Sequence, residues 1–443
     1  MKRLWKVLPP CISDLMGFEA VLNETEGMGL IDDSSRYKPI RFGREGNERR
    51  EDHRRREGHR EYERPERLER SERHERNERL DMESTLEGSQ RHGRDEHRGH
   101  GGRHDGVVPG VRVINSDIRN EDIITGTENK VLSAFERGAA QFSPNFALLA
   151  YGPSASMIGS DLEYAAEKIA GQSGIPTASV KIDGEKDYLY GISCTLETMG
   201  RLLLEPQNTI PGSLNILGAN TIDWAKETVD DVEKVLLNAG FRILSRWGTK
   251  ETTENLKMAS AASCNLVVNE SGLRLARFME EEFGIPYLAG APFGTAWMEQ
   301  LLMKLKGDCT SMDLSAEKMT AEHPASMEPE ILIVGEQFMG NAIRQELLHR
   351  GYGEIRVLSF YDMDKEYMEA GDKKLTGEDE FAAQAGAETV RVIFADGDLR
   401  SLVEKEVRWI PLPNMGSMFP VKPMEAYNMA GQALDAWLDR EGL

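Results

Sequence analysis

Cysteine is scarce in this 443-residue chain: Cys11, Cys194, Cys264 and Cys309 stand far apart, with no CxxC pair and no secreted-style spacing. That pattern excludes a disulfide framework and fits reduced thiols in a cytoplasm. It gives no spacing support to a zinc or iron–sulfur site built from this chain's own four cysteines. Long apolar runs are missing too. With no stretch of about 20 apolar residues, nothing in the sequence is built to span a bilayer. The opening MKRLWKVLPPCISD begins with basic residues, but Pro9 and Pro10 break its short apolar run, so it does not read as a signal peptide. Histidine is nearly absent outside one segment, because seven of the nine fall within residues 44–104. Only His323 and His349 remain, one in a polar linker and one late in a helical stretch, so a histidine general base is not expected.

The net charge is −21, and it is unevenly placed. Residues 44–104 hold 17 Arg against 17 Asp or Glu, so the rest of the chain carries essentially all of the negative charge. An acidic body excludes nucleic acid and anionic membrane as main partners, but not a basic protein. The Glu-Arg repeats of the segment offer i,i+4 pairs without any apolar face to pin a helix to a core. Composition therefore favours a solvated, disordered, low-complexity charged insertion over residues 44–106, rather than a metal-binding histidine tract.

What remains alternates short apolar strands with amphipathic helices, the signature of an α/β protein with parallel sheets. FALLAYG (146–152), ASVKIDG (178–184), SLNILGA (213–219), FRILSRW (241–247), NLVVN (265–269), ILIVGE (331–336), IRVLSF (355–360), RVIFADG (391–397) and RWIPLP (408–413) read as strands. DLEYAAEKIAGQSG, TVDDVEKVLLNAG and LRLARFMEEEFG read as helices, each closed by a glycine. Turn-rich PQNTIPG (206–212) and the polar stretch after residue 307 mark boundaries. Three Rossmann-like domains follow: residues 1–43 joined to 107–210, then 211–325, then 326–443.

In open α/β sheets, ligands sit beyond the carboxyl ends of the strands. This singles out YGPSASMIGSD (151–161), NESG (269–272), GAPFGT (290–295) and GEQFMGN (335–341). The last has its glycines at 335 and 340, so it is neither a GxGxxG nor a GK[ST] phosphate loop; two small residues for strand–helix packing is the reading it supports. Asp32 and Asp33 form an adjacent pair after the apolar MGLI. Neighbours on a strand point oppositely, so joint acid/base work would need a turn there, and capping is the plainer role.

Five segments, in order, resemble the nitrogenase component 1 family. LPPCISDLMGFEAVLNETEGMGLIDDSS is similar to its first cluster-binding segment, and INSDIRNEDIITGTENKV to its D-I-x-x-x-D-x-I-x-G-x-x-x-K stretch. PSASMIGSDLEYAAEKI with the following GIP resembles the segment after the third cluster cysteine. SCNLVVNESGLRLARFMEEEFGIPYL resembles the strand and helix beside the active-site cofactor, and ILIVGEQFMGNAIR the start of the third domain. The resemblance implies three Rossmann-like domains, pairing with a homologous component 1 subunit as a heterodimer or homodimer, and electrons supplied by an iron-protein ATPase. It also implies a [4Fe-4S] cluster shared with that partner subunit, with none held by this chain alone.

The same resemblance places the site residues. Cys11 falls at the family's first cluster thiolate, Tyr37 near the second and Gly152 near the third, while Asn269 stands where nitrogenase has a cysteine for its catalytic metal cofactor. Soft thiolates suit iron clusters and Tyr, Gly and Asn do not replace them. Cys194 and Cys264 read as small buried hydrophobes. Two functions stay open at this level: a subunit of a nitrogenase-like oxidoreductase complex, or a non-redox ligand-binding or assembly subunit that keeps the fold without clusters. A nucleotide-sugar transferase, which also stacks Rossmann units, lacks any constellation for a sugar diphosphate.

Overall fold

Strands buried on both faces must be apolar along their whole length, and parallel pairing needs a crossover between successive strands. The computed structural model of the chain, which describes residues 13–34, 112–307, 330–412 and 427–443, is built from such units. Among these residues the strands form three sheets, each wholly parallel. The charged insertion, Cys11, Tyr37 and Cys309 lie outside them.

The first sheet has the order β2-β1-β3-β4, from β1 (Met28–Asp32), β2 (Val113–Asn115), β3 (Ala147–Tyr151) and β4 (Thr177–Val180). Its helices are α1 (Asp14–Leu22), α2 (Asn120–Thr125), α3 (Glu128–Phe142), α4 (Pro153–Ile158), α5 (Leu162–Ser173) and α6 (Tyr188–Leu203). The second has the order β6-β5-β7-β8, from β5 (Ile210–Leu217), β6 (Arg242–Trp247), β7 (Ala262–Val267) and β8 (Tyr287–Ala289). It carries α7 (Lys226–Asn238), α8 (Thr253–Met258), α9 (Leu273–Phe283) and α10 (Thr295–Lys306). The third has the order β11-β10-β9-β12-β13, from β9 (Glu330–Val334), β10 (Ile355–Ser359), β11 (Lys373–Lys374), β12 (Val390–Ala395) and β13 (Arg408–Pro411). Its helices are α11 (Gln337–His349), α12 (Glu378–Ala385) and α13 (Gln432–Arg440).

The nine strands expected from sequence are all present, and the glycines that close α5, α7 and α9 take the left-handed conformation, at φ 72° for Gly174, 96° for Gly240 and 68° for Gly284. Sequence pattern does not single out α1 and α6. Burial contributes: eleven of the sixteen residues of α6 are buried, which leaves only a narrow polar stripe through Glu197 and Arg201. The two helices cross backbone to backbone. A Cβ at Gly17 would lie 2.2 Å from the Tyr188 carbonyl oxygen, and one at Gly191 2.0 Å from that of Asp14.

Two further ties matter below. Arg344, 1% exposed on α11, donates from Nη1 to both Asp372 oxygens at 2.7 and 2.8 Å. The C-terminal stretch leaves the third sheet to reach the second: Phe293 bridges to Ala430 and Gly431, and the Asn428 amide donates to Asp231 on α7 at 2.9 Å. Among the described residues, no helix is long and apolar enough to cross a membrane.

Candidate functional site

The strand order of the second sheet reverses between β5 and β7, so the loops leaving their carboxyl ends diverge there. Gly218 (φ 91°) lets the two loops touch, since a Cβ would sit 2.9 Å from the Gly272 nitrogen and 3.0 Å from the Asn269 oxygen. After β5, the Asn220 side-chain oxygen accepts from the Ile222 and Asp223 N–H groups, both at 3.0 Å, and this turn brings Asp223 back over the strand ends. Asp223 is the centre of the site. One of its oxygens accepts from the Tyr188 hydroxyl at 2.6 Å; the other accepts from the amides of Asn220 at 3.0 Å and Asn269 at 3.1 Å.

The third sheet meets this cluster through Glu336, at the end of β9. Its carboxylate caps α11 by accepting from the Phe338 and Met339 N–H groups at 3.0 and 2.8 Å, and it also accepts from the Glu270 N–H at 3.1 Å. Glu270 thus joins through its main chain and leaves its own carboxyl facing Glu336, Asp187, Asp362 and the Arg274 guanidinium. From the first sheet's side, Asp187 caps α6 through the Tyr190 N–H at 3.0 Å, and Tyr188 meets Tyr361 edge-on with centroids 5.4 Å apart.

Five carboxyls against the Arg274 guanidinium and Lys374, which pairs with Asp362, set the electrostatics. Burial, then the neighbouring Glu336 charge, pushes the Glu270 carboxyl up to about 8. Burial pushes Glu336 up to about 7 against the pull of its main-chain N–H donors. Asp223 and Asp187 are raised as well, first by burial. Near neutrality the site therefore holds protons on carboxyl groups, which suits it to proton exchange and to ligands that donate hydrogen bonds or carry positive charge.

Because Glu270 binds its proton more tightly in the folded than in the unfolded chain, its contribution is full below the ordinary glutamate range and is lost as pH rises towards 8. Glu270→Gln should therefore gain stability over the wild type between about pH 6 and 9, by something on the order of 1–2 kcal/mol for this half-buried group. Urea midpoints at the two ends of that range measure it. An identical difference at both would show that the proton is not there.

Of the loops singled out from sequence, NESG and GEQFMGN come together, and the missed partners are Asp187, Tyr188, Asn220 and Asp223. The loop 151–161 lies apart, at the strand ends of the first sheet. There Asp32 accepts from Ser116 Oγ at 2.6 Å and Thr127 Oγ1 at 3.0 Å, while Asp33 accepts from the Ser154 N–H at 3.2 Å at the start of α4. The two carboxylates point apart, as strand neighbours do, and do not form an acid/base pair. In GEQFMGN, Gly340 is a packing position, with its would-be Cβ 2.6 Å from Val357 Cγ1.

Of the residues placed at the family's metal positions, the two that are described, Gly152 and Asn269, offer no thiolate to an iron–sulfur cluster. Gly152 offers no donor atom, and a Cβ there would lie 2.4 Å from Asp33 Cβ. Its φ of −83° suits any residue, so the constraint is space alone. Asn269 is buried and fully engaged: its amide donates to Asp223, and its oxygen accepts from the Ser271 N–H at 3.0 Å and hydroxyl at 2.7 Å. Cys194 and Cys264 are buried in the core, on α6 and β7. Among the described residues, no three His, Cys, Asp or Glu side chains are grouped to hold a metal ion.

Three wholly parallel sheets whose strand ends supply one polar, proton-bearing site define a multidomain Rossmann-like α/β protein. Residues 90–343, more than half of the chain, match the family described as nitrogenase component 1 type oxidoreductase, and the chain belongs to that family. It is 25% identical over 304 residues to the nitrogenase iron-molybdenum cofactor biosynthesis protein NifE of Nostoc sp., covering 64% of this chain and 58% of that protein. It is 22% identical over 242 residues to the nitrogenase molybdenum-iron protein alpha chain of Methanococcus maripaludis, covering 52% and 49%. These matches span about half the length of the curated relatives. A solved structure, nitrogenase Cp1 at pH 6.5, superposes with a TM-score of 0.64 over 100% of this chain and 93% of its own, at 10% identity, a likeness of fold.

Proposed function

We propose that the chain is one subunit of a nitrogenase-like component 1 complex, paired with a homologous subunit and served by an iron-protein ATPase, in which cluster thiolates come mainly from the partner. The observation that carries this reading is the junction itself: a component 1 fold whose second and third sheets turn their strand ends onto Asp223, Asn269, Glu270 and Glu336. The described residues offer no cluster ligand, so no electron-transfer step is assigned to them. Their part is to bind and orient a polar ligand and to hold protons at the Glu270 and Glu336 carboxyls, where burial keeps them near neutrality. Cys11 is the one residue proposed to complete a shared [4Fe-4S] cluster; Tyr37 is proposed to lie beside it.

A second reading is a non-redox ligand-binding or assembly subunit. The closed Asp223–Asn269–Ser271 network favours it, because that amide sits where a metal-binding thiolate would be needed. Similarity to a cofactor biosynthesis protein also supports it.

Anaerobic co-purification with the homologous subunit from the same genome separates the two. The first reading expects a stable complex that contains iron and sulfide, takes up electrons from the iron protein with ATP, and loses iron on Cys11→Ala. The isolated chain is expected to hold no stoichiometric cluster, and near-full occupancy there would mean that its ligands lie elsewhere. A complex devoid of iron would leave the second reading standing, and a strict monomer would overturn the pairing.

A further inference from the structure

A second pair of carboxyls lies away from this site, where the C-terminal helix crosses the second sheet's last helix. The N-terminus of α10 presents two main-chain donors to side chains of two other helices. The Thr295 N–H donates to Asp435 of α13 at 3.2 Å, and the Thr295 hydroxyl donates to the same oxygen. The Ala296 N–H donates to Glu346 of α11 at 3.3 Å. Gly294 (φ 76°) makes room for this, since a Cβ would come within 2.5 Å of the Glu346 carboxylate. Glu346 is only 3% exposed. The two carboxyls thus crowd adjacent main-chain donors of one helix start, and burial with the neighbouring Asp435 side chain raises the Glu346 carboxyl above its ordinary range.

The charges facing the pair come from each element packed on it. Arg350, on α11 with Glu346, stands 3.9 Å from Glu346 and 3.7 Å from Asp435, but its closest ionic partner is Asp439 of α13 at 2.7 Å. It also donates to the main-chain oxygens of Leu443 at 2.6 Å and Asp435 at 3.1 Å. From α10 come only the dipolar Thr295 and Ala296 groups among the contacts described. One cation shared among three carboxylates does not neutralise two at adjacent donors of one helix start, so like-charge repulsion favours a proton on Glu346.

We propose that Glu346 and Asp435 share a proton and form a pH-sensitive latch, which fastens α11 and α13 to the N-terminus of α10 while the proton is held and loosens when it is lost. The direction follows from chemistry. Burial first, then the hydrogen bond and charge of Asp435, raises the Glu346 carboxyl above its ordinary range. Its contribution is full below the ordinary glutamate range and disappears as pH climbs through the raised value. The latch also bears on the strand-end site. Phe293, one residue before Gly294, packs on Trp224 with centroids 5.0 Å apart, and Trp224 follows Asp223. Loosening α10 frees the loop that buttresses that residue. This device does not depend on the function proposed above.

Amide hydrogen exchange of the full chain tests it, with protection factors of Thr295 and Ala296 followed between about pH 5 and 9 and β9 amides as internal reference. The wild type should lose protection severalfold at these two amides as Glu346 ionises. Glu346→Gln keeps a donor to Asp435 without a titrating proton, and Asp435→Asn removes the opposing charge; both should give flat profiles. A wild-type profile already flat would overturn the latch, and so would a Glu346→Gln profile that falls as the wild type does.

Discussion

Replacing Asp372 with alanine should cost about 3 kcal/mol of stability, because it leaves the buried Arg344 guanidinium with only the half-exposed Glu369, 3.3 Å away, as counter-charge. Arg344 and Asp372 are among the most buried charged residues here, with side chains 2% and 0% exposed. Asp372 also accepts from the Val357 N–H at 2.8 Å and the Glu369 N–H at 2.8 Å, so the same change strips two main-chain donors in the third sheet's crossover. The pair's net worth is a different quantity. Two charges taken out of water lose hydration that their attraction only partly returns, and Arg344 Nε has no partner. The double replacement Arg344→Met with Asp372→Leu should therefore recover the part of the loss that comes from the stranded charge, but not the part from the Val357 and Glu369 N–H groups. Urea unfolding followed by hydrogen exchange in β9 and β10 reads both, since a multidomain chain need not unfold in one step. A single variant within about 1 kcal/mol of wild type would show that water or a shifted loop takes over the role of Asp372.

Gly191→Ala should also destabilise, by about 2–3 kcal/mol or more, although the residue lies inside a helix where alanine is intrinsically better by about 1 kcal/mol. The clash decides the sign, because the nearest atoms to the new methyl are the Asp14 oxygen at 2.0 Å and its Cα at 2.5 Å, main-chain atoms that cannot rotate away. The matched control is Gly171 in α5, an exposed position with nothing within 4 Å of a built Cβ. There Gly→Ala should stabilise by about 1 kcal/mol. Opposite signs in paired denaturation curves are the expected result; two stabilising substitutions would mean α1 and α6 are further apart than described. Damage at Gly191 should spread to the site, since Asp187 and Tyr188 open the same helix.

The contrast shows what sequence patterning carries. Parallel strands are buried on both faces, so ILIV and ALLA betray themselves as apolar runs, and terminal glycines betray helix ends. Helix α6 escapes for the same reason that it matters: it is buried on most sides and keeps only a narrow polar stripe. Strand ends were legible as the place for chemistry, and Asn269 was legible as a strand-end position. Its partner Asp223, and Tyr188 behind that, were not, because they come from separate stretches of chain and only folding brings them together. Gly152 illustrates a subtler limit. From sequence it marks a missing thiolate; in three dimensions its hydrogen is what leaves room for Asp33, so residue 152 and residue 33 form one unit separated by a long stretch of chain. Gly152→Cys would therefore need Asp33 to move before any metal question arises.

The return of residues 427–443 to the second sheet has a consequence for how the chain is made. Asn428 meets Asp231 across a separation of 197 residues. At a ribosomal rate of about 5–20 residues per second, that gap corresponds to roughly 10–40 s. Within that interval Phe293 and the α10 donors are made before the residues that meet them, Ala430, Gly431 and Asp435. An uncovered aromatic and an uncapped helix start thus mark the growing polypeptide until residues 427–443 emerge.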